Sequence, residues 1–226
     1  MSKLIGRRCF VRTSAVATAG TLIGLKTNFA AQRAVVQTSP SPDAALNELV
    51  EGNRRYVAGR MTPHEHDLQM LRARMVDNQQ PFAAVLSCAD SRVPVELVFD
   101  QTIGQLFVCR IAGNVTTPEI IASLEYGAAE LGTRVILVLG HSNCGAVAAT
   151  IKGSPVPGQI SALYSRIRPA VDTAGPNVEA AAKVNARIHA KLLIEASTAI
   201  GGLVKENKVK VVSGYYDVAS GTVTLL

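Results

Sequence analysis

The sequence predicts an α/β fold: a mostly parallel sheet of about four strands plus an antiparallel edge strand, helices on both faces, and an N-terminal helical arm. Three observations predict it. Short runs that are apolar throughout, such as Phe82 to Leu86 and Val135 to Leu139, alternate with segments of helical period; strands without a polar face are buried on both sides, as in parallel sheets covered by helices. The chain of 226 residues is 48% hydrophobic, enough for one domain with its own core. Both apolar runs also lead straight into residues that carry chemistry, Ser87-Cys88-Ala89-Asp90-Ser91-Arg92 and His141-Ser142-Asn143-Cys144.

The elements follow in order. From Asp43, Leu46, Leu49, Val50 and Val57 recur at helical spacing until Gly59. A second helix is expected at about 68 to 76, broken by Gln79-Gln80-Pro81. Both precede the sheet, so they form an arm (43–77) rather than a crossover. Strands are then expected near 82–87, 105–110 and 135–139, with helices near 94–99 and from Pro118 to about Leu131 between them. Helical segments follow Cys144, one near Ile160 to Ile167 and a longer one from about Val178 to Ile200, before a strand at Val209 to Ser213. Ala219 to Gly221 reads as a turn into the edge strand.

The formal charge of +6 belongs to the first 34 residues, where Lys3, Arg7, Arg8, Arg12, Lys26 and Arg33 meet no acid; the remainder holds 17 residues of each sign. A neutral domain has no electrostatic footprint for phosphate backbones, so nucleic acid is not an expected partner. Arg7-Arg8-Cys9-Phe10-Val11-Arg12 precedes thirteen uncharged residues, Thr13 to Leu25. That run is too short for a membrane span of ~20 residues. It looks like a twin-arginine export signal, giving a leader (1–34), a Thr/Ser/Pro linker (35–42) and a domain (43–226). The expected destination is a periplasm or a thylakoid lumen, with cleavage near Ala31 or the leader retained as an anchor.

Beyond Cys9 the domain holds Cys88, Cys109 and Cys144, an odd number that makes a poor disulfide framework. Open parallel sheets bind ligands beyond the carboxyl ends of their strands, where Cys88, His141 and Cys144 fall. Any one of them alone is better read as core or cap. Together, at equivalent strand ends, they read as a zinc triad with an open fourth position, the arrangement that supports catalysis. The thiols lie 56 positions apart, with no C-x-x-C redox pattern. Asp90 and Arg92, two residues apart, can pair through a two-pronged hydrogen bond. Cys109 reads as core, and His64-Glu65-His66-Asp67 as a solvated connector.

Cys88-Ala89-Asp90-Ser91-Arg92 and His141-Ser142-Asn143-Cys144-Gly145 resemble the C-x-D-x-R and H-x-x-C signatures of the β-class carbonic anhydrases, in order and on the same alternating pattern. The resemblance runs from about Asp43 to the C-terminus. It implies an enzyme that interconverts carbon dioxide and bicarbonate, with one Zn2+ per subunit held by Cys88, His141 and Cys144. Asp90, held by Arg92, would orient the attacking hydroxide, or swing onto the zinc in a closed state. Gln79 would donate to a substrate oxygen, Phe107, Ala112 and Tyr126 would line the pocket, some across a subunit interface, and Gly113 would allow close backbone approach. The helical arm implies a homodimer or a tetramer of dimers. Members that close the site with bicarbonate use a Trp, an Arg and a Tyr; this chain has Arg110 and Tyr216 but Val85 in the Trp position, so that regulation is not expected. Two rivals stay open at this point: the same site used on carbon disulfide or carbonyl sulfide, and a non-enzymatic zinc-stabilised module.

Overall fold

The structure, a computed structural model, describes residues 40–226. The expected leader at 1–34, and most of the linker, lie outside the described residues. Among the described residues no helix is long and apolar enough to cross a membrane.

Five strands form one sheet in the order β2-β1-β3-β4-β5. They are β1 (Ala83–Ser87), β2 (Leu106–Arg110), β3 (Val135–His141), β4 (Lys210–Tyr216) and β5 (Val223–Leu225). The first four run parallel, and β5 pairs antiparallel with β4. All residues of β1 and β3 are buried, which is why their sequences are apolar without alternation. Val85, Val135, Leu137 and Leu139 face one side with α1 (Pro42–Val57) and α3 (Val95–Val98). Ala84, Leu86, Ile136 and Val138 face the other, against α4 (Pro118–Glu125), α7 (Val178–Ala196) and α8 (Thr198–Lys205). The remaining helices are α2 (Asp67–Arg74), α5 (Gly145–Lys152) and α6 (Tyr164–Ala174).

Four differences from the expected elements have physical causes. The first arm helix packs on its own sheet, with Ala45 and Leu49 fully buried beside Val85 and Phe99. Its Asn53 ties it further, donating to Val98 O and Gly221 O and accepting from Val223 N. The single helix expected to Ile200 is two, because Ser197 leaves helical geometry and caps α8, its Oγ accepting from Ile200 N at 3.0 Å. The helix expected to reach Leu131 passes into a π-turn at Tyr126–Glu130, where Gly127 leaves room for the Phe107 ring. Strand β4 runs on to Tyr216, because Tyr215 and Tyr216 are buried and paired with Gly140 and His141.

Most of the connector at 59–66 is exposed, Glu65 and His66 included, and His64 is half-buried within it. His64 lies between two carboxylates, Nδ1 at 3.4 Å from Asp67 and Nε2 at 3.6 Å from Asp100. Buried Asp100 also takes hydrogen bonds from Arg55 Nε at 2.5 Å, Thr62 N and Thr62 Oγ1. Burial raises the Asp100 carboxyl, but the bonds from Arg55 and Thr62 outweigh it and leave its pKa below the ordinary value.

Candidate metal centre

Strand β1 leads to β2 on one side and β3 lies on its other side, so the chain reverses direction across the sheet between β1 and β3. Such a switch point leaves a crevice at the carboxyl ends of the strands. Ser87 is level with Leu139 in the β1–β3 register, so Cys88 and His141 emerge from adjacent strands at nearly the same height. The tight turn after His141, with Asn143 at φ 53°, brings Cys144 back as the extended residue that caps the N-terminus of α5. The result is a cluster whose ligand atoms, from Cys88, His141 and Cys144, all lie within 4.8 Å of one another. All three residues are buried, with Val147, Ile167 and Val171 packed in the same cluster.

The electrostatics suit a cation. His141 Nδ1 lies 2.9 Å from Ser142 O, to which it donates, so Nε2 is left as the acceptor; Nε2 is buried and has no partner among the described residues. An unpaired buried acceptor is costly unless something positive meets it. The two thiols interact as a unit. A hydrogen bond from Cys144 holds Cys88 well below the ordinary thiol range, and the same bond together with burial pushes Cys144 up. One thiolate is therefore already favoured, and a metal would take the proton's place on the other. Two soft donors, one imidazole and a fully buried setting fit zinc.

Asp90 stands beside this cluster and outside the ligand set. Arg92 Nε donates to Asp90 Oδ1 at 3.0 Å and Nη2 to Oδ2 at 2.8 Å, and the Arg92 backbone N–H adds a third bond to Oδ1. Asp90 Oδ2 is 3.9 Å from His141 Nε2. The Arg92 bonds hold the carboxyl well below the usual carboxylate range. Arg92 also donates to Asn143 O, fastening the two ligand loops together.

Arg110 holds the first loop from beneath, donating to Cys88 O at 3.0 Å and Asp90 O at 2.6 Å. Val85 is core, and Tyr216 is buried in the same cluster, its hydroxyl 3.5 Å from that of Tyr56. Gly113 approaches the cluster closely, its N–H 3.3 Å from Cys88 Sγ. Ala112, half-buried, precedes it.

The other expected wall residues stand elsewhere in the chain. Phe107 is level with Ala84, four residues before Cys88, or roughly 13 Å along the strand at the usual rise. Its ring lies 6.3 Å from that of Tyr126, which is half exposed. Tyr126 and Gln79 line one concavity with Met75 and Leu131. Within a single chain, Gln79, Phe107 and Tyr126 therefore form a separate patch rather than the wall of the Cys88 site. Cys109 is core, its thiol raised by burial. His189 is buried on α7.

Fold and site together define an α/β protein with a buried Cys-His-Cys cluster that could hold a metal, and the comparisons give its family. The chain belongs to the carbonic anhydrase family, whose pattern matches residues 83–223. It is 40% identical over 137 residues to carbonic anhydrase 2 of Mycobacterium tuberculosis and 38% identical over 135 residues to the carbonic anhydrase of Mycolicibacterium smegmatis. Each match covers 58% of this chain and 65% of the relative's length. The fold is shared with the crystal structure of the β-carbonic anhydrase CafA of Aspergillus fumigatus, at TM-score 0.67 and 22% identity, over 81% of this chain and 89% of that one.

Proposed function

We propose that this protein catalyses the reversible hydration of carbon dioxide to bicarbonate and a proton, with zinc held by Cys88, His141 and Cys144. The observation that carries the proposal is the placement of an Arg-bound carboxylate, Asp90, 3.9 Å from the unpartnered Nε2 of His141. Zinc in such a site supplies Lewis acidity that brings the pKa of a water toward ~7. The protein's part is orientation. With both oxygens engaged by Arg92, Asp90 stays ionised and can accept a hydrogen bond from a hydroxyl group lying over the ligand cluster. It then fixes which lone pair faces an incoming carbon. The surrounding apolar side chains suit a small substrate without charge. This arrangement favours the enzyme over a purely structural zinc module, in which a carboxylate reserved by an arginine beside the ligands has no task.

The relatives' names support the reaction, and the CafA-like fold supports the architecture. Export by way of the leader, and delivery to a periplasm, are part of the proposal, supported by the Arg7-Arg8 pattern alone. A homodimer or tetramer of dimers is also proposed. The patch of Gln79, Phe107 and Tyr126 would then line the site of a second copy, which accounts for three pocket residues that one chain keeps away from its own ligands.

Stopped-flow CO2 hydration with zinc quantified, from about pH 6.5 to 9, beside Asp90→Ala, tests the reading. Fast hydration lost in the variant is the expected result. Stoichiometric zinc with no hydration at any of these pH values would overturn it.

A further inference from the structure

The turn after β2 touches the ligand cluster at one group, the Gly113 N–H directed at Cys88 Sγ. A donor of this kind draws electron density from a thiolate, and such outer partners tune both the affinity and the acidity of a bound metal. What aims it is not local. Gly113 and Asn114 sit at φ 75° and 44°, two successive residues in the left-handed region. A Cβ at position 113 would meet Ile167 Cδ1 at 2.6 Å, so the backbone is pressed into the site as closely as glycine permits. Conformations like this persist only where their surroundings hold them.

The holding groups come from α7, more than seventy residues downstream. Asn185 Nδ2 donates to Gly113 O at 2.8 Å. One turn further on the same face, His189 Nδ1 accepts the Thr116 N–H at 3.1 Å and lies 2.9 Å from Thr116 Oγ1. Arg166 of α6 donates to Thr116 O at 2.9 Å. The turn is thus fixed at both ends by buried polar side chains. Asn185 and His189 are 0% and 1% exposed, on a helix face otherwise made of Ala181, Ala182, Ala186, Ala190 and Leu193. Asn185 Oδ1 and His189 Nε2 are buried without partners among the described residues. A face that needed only packing would be more stable with apolar side chains there. The directed bond to Gly113 O is what the amide contributes.

We infer that Asn185 is a positioning residue for the metal centre: by holding the Gly113 carbonyl, with His189 holding Thr116, it keeps the Gly113 N–H on the Cys88 thiolate. The inference rests on Cys88, His141 and Cys144 being metal ligands, and the test separates the two.

The experiment uses the full chain loaded with cobalt(II), comparing wild type with Asn185→Leu, which keeps the branching and heavy-atom count of the side chain and removes the donor, and with Leu193→Ala, a fully buried α7 residue outside the turn. In Asn185→Leu the thiolate-to-cobalt charge-transfer band is expected to move to longer wavelength with the d–d bands retained. Cobalt and zinc affinity, measured against a chromophoric chelator, should fall by about 10- to 100-fold. Leu193→Ala should lower Tm without moving the band. An Asn185→Leu variant with wild-type band and affinity overturns the inference, as does a band shift of equal size in Leu193→Ala. If Asn185→Leu does not fold, wild-type protein loaded with cadmium-113 decides. The Gly113 amide proton should show scalar coupling to the metal through the hydrogen bond, reduced in Asn185→Ala; no coupling in wild type overturns the inference. Absence of any thiolate-to-cobalt band in wild type is a different failure, visible without a variant, and sinks the ligand reading together with what rests on it.

Discussion

Arg92 grips Asp90 through two parallel side-chain bonds and a backbone N–H, and in the same pose reaches across to the carbonyl of Asn143 in the loop that carries Cys144. One guanidinium therefore both orients the carboxylate and locks the distance between the two ligand loops.

Arg92→Lys keeps the charge and loses the fork. With a carboxylate free to rotate, hydration is expected to drop on the order of 10²-fold, mainly in kcat, with zinc content unchanged. Stopped-flow rates beside metal analysis check this. Wild-type rates in the variant would remove Arg92 from any orienting role.

Without a metal, His141 Nε2 is buried without a partner and the two thiols share charge. Chelation should therefore lower Tm, and the drop should reverse on adding zinc. Cys144→Ser should reduce zinc affinity by more than about 100-fold while the fold survives, judged by far-ultraviolet circular dichroism. A Tm indifferent to chelation would mean the cluster does not hold the metal.

Gly113→Ala places a methyl group 2.6 Å from Ile167 Cδ1 at a residue with φ 75°. The clash and the left-handed backbone together should lower stability by about 2 kcal/mol or more. Urea unfolding would measure it, and a loss below about 0.5 kcal/mol would mean that the turn moves freely.

Asp100 links the arm to the body through Arg55 and Thr62. Asp100→Asn should lower stability near neutral pH by about 2 kcal/mol, the range for hydrogen bonds to charged groups. The sign of the pH dependence follows from its lowered pKa. The contribution is complete above the unfolded carboxylate value of ~3.9 and is lost as pH falls through the folded value. The wild-type advantage over the variant should therefore shrink below about pH 4 and not above it. An advantage independent of pH would point to packing.

Ser197→Ala removes the α8 cap and the bond from Ser197 Oγ to Glu125. A loss of about 1 kcal/mol is expected in thermal or urea unfolding, without change in zinc content.

The parts of this molecule that were legible in its sequence are those whose cause is local. Strands β1 and β3 announce themselves because burial on both faces leaves no polar position. Cys88, Asp90, Arg92, His141 and Cys144 stood out because short spacings at strand ends place side chains together whatever the rest of the chain does. Three kinds of information were not local. Gln79 and Tyr126 share a concavity remote from Cys88, and their distance from it depends on how α2, β1 and the π-turn sit relative to one another. The break at Ser197 is a cap inside a segment whose helical period continues on both sides. In the sequence, Asn185 is one polar residue within an Ala-rich helical segment. Its only signal was that an amide fell on the apolar face beside Ala182 and Ala186, and its partner lies 72 positions away. The partial burial of His64 has a cause of the same kind, since nothing near it in sequence points to Asp100.

Two of the three candidate ligands sit at the ends of β1 and β3, the two strands buried along their whole length: Cys88 directly follows β1 and His141 closes β3. Segments of that kind are the last to open in a folded protein, with opening free energies close to that of complete unfolding. Metal exchange should then be gated by rare excursions of the sheet rather than by the strength of the bonds alone. A bound ion would be kinetically trapped, released over hours to a strong chelator in native buffer, and released much faster once a little denaturant loosens the centre of the molecule.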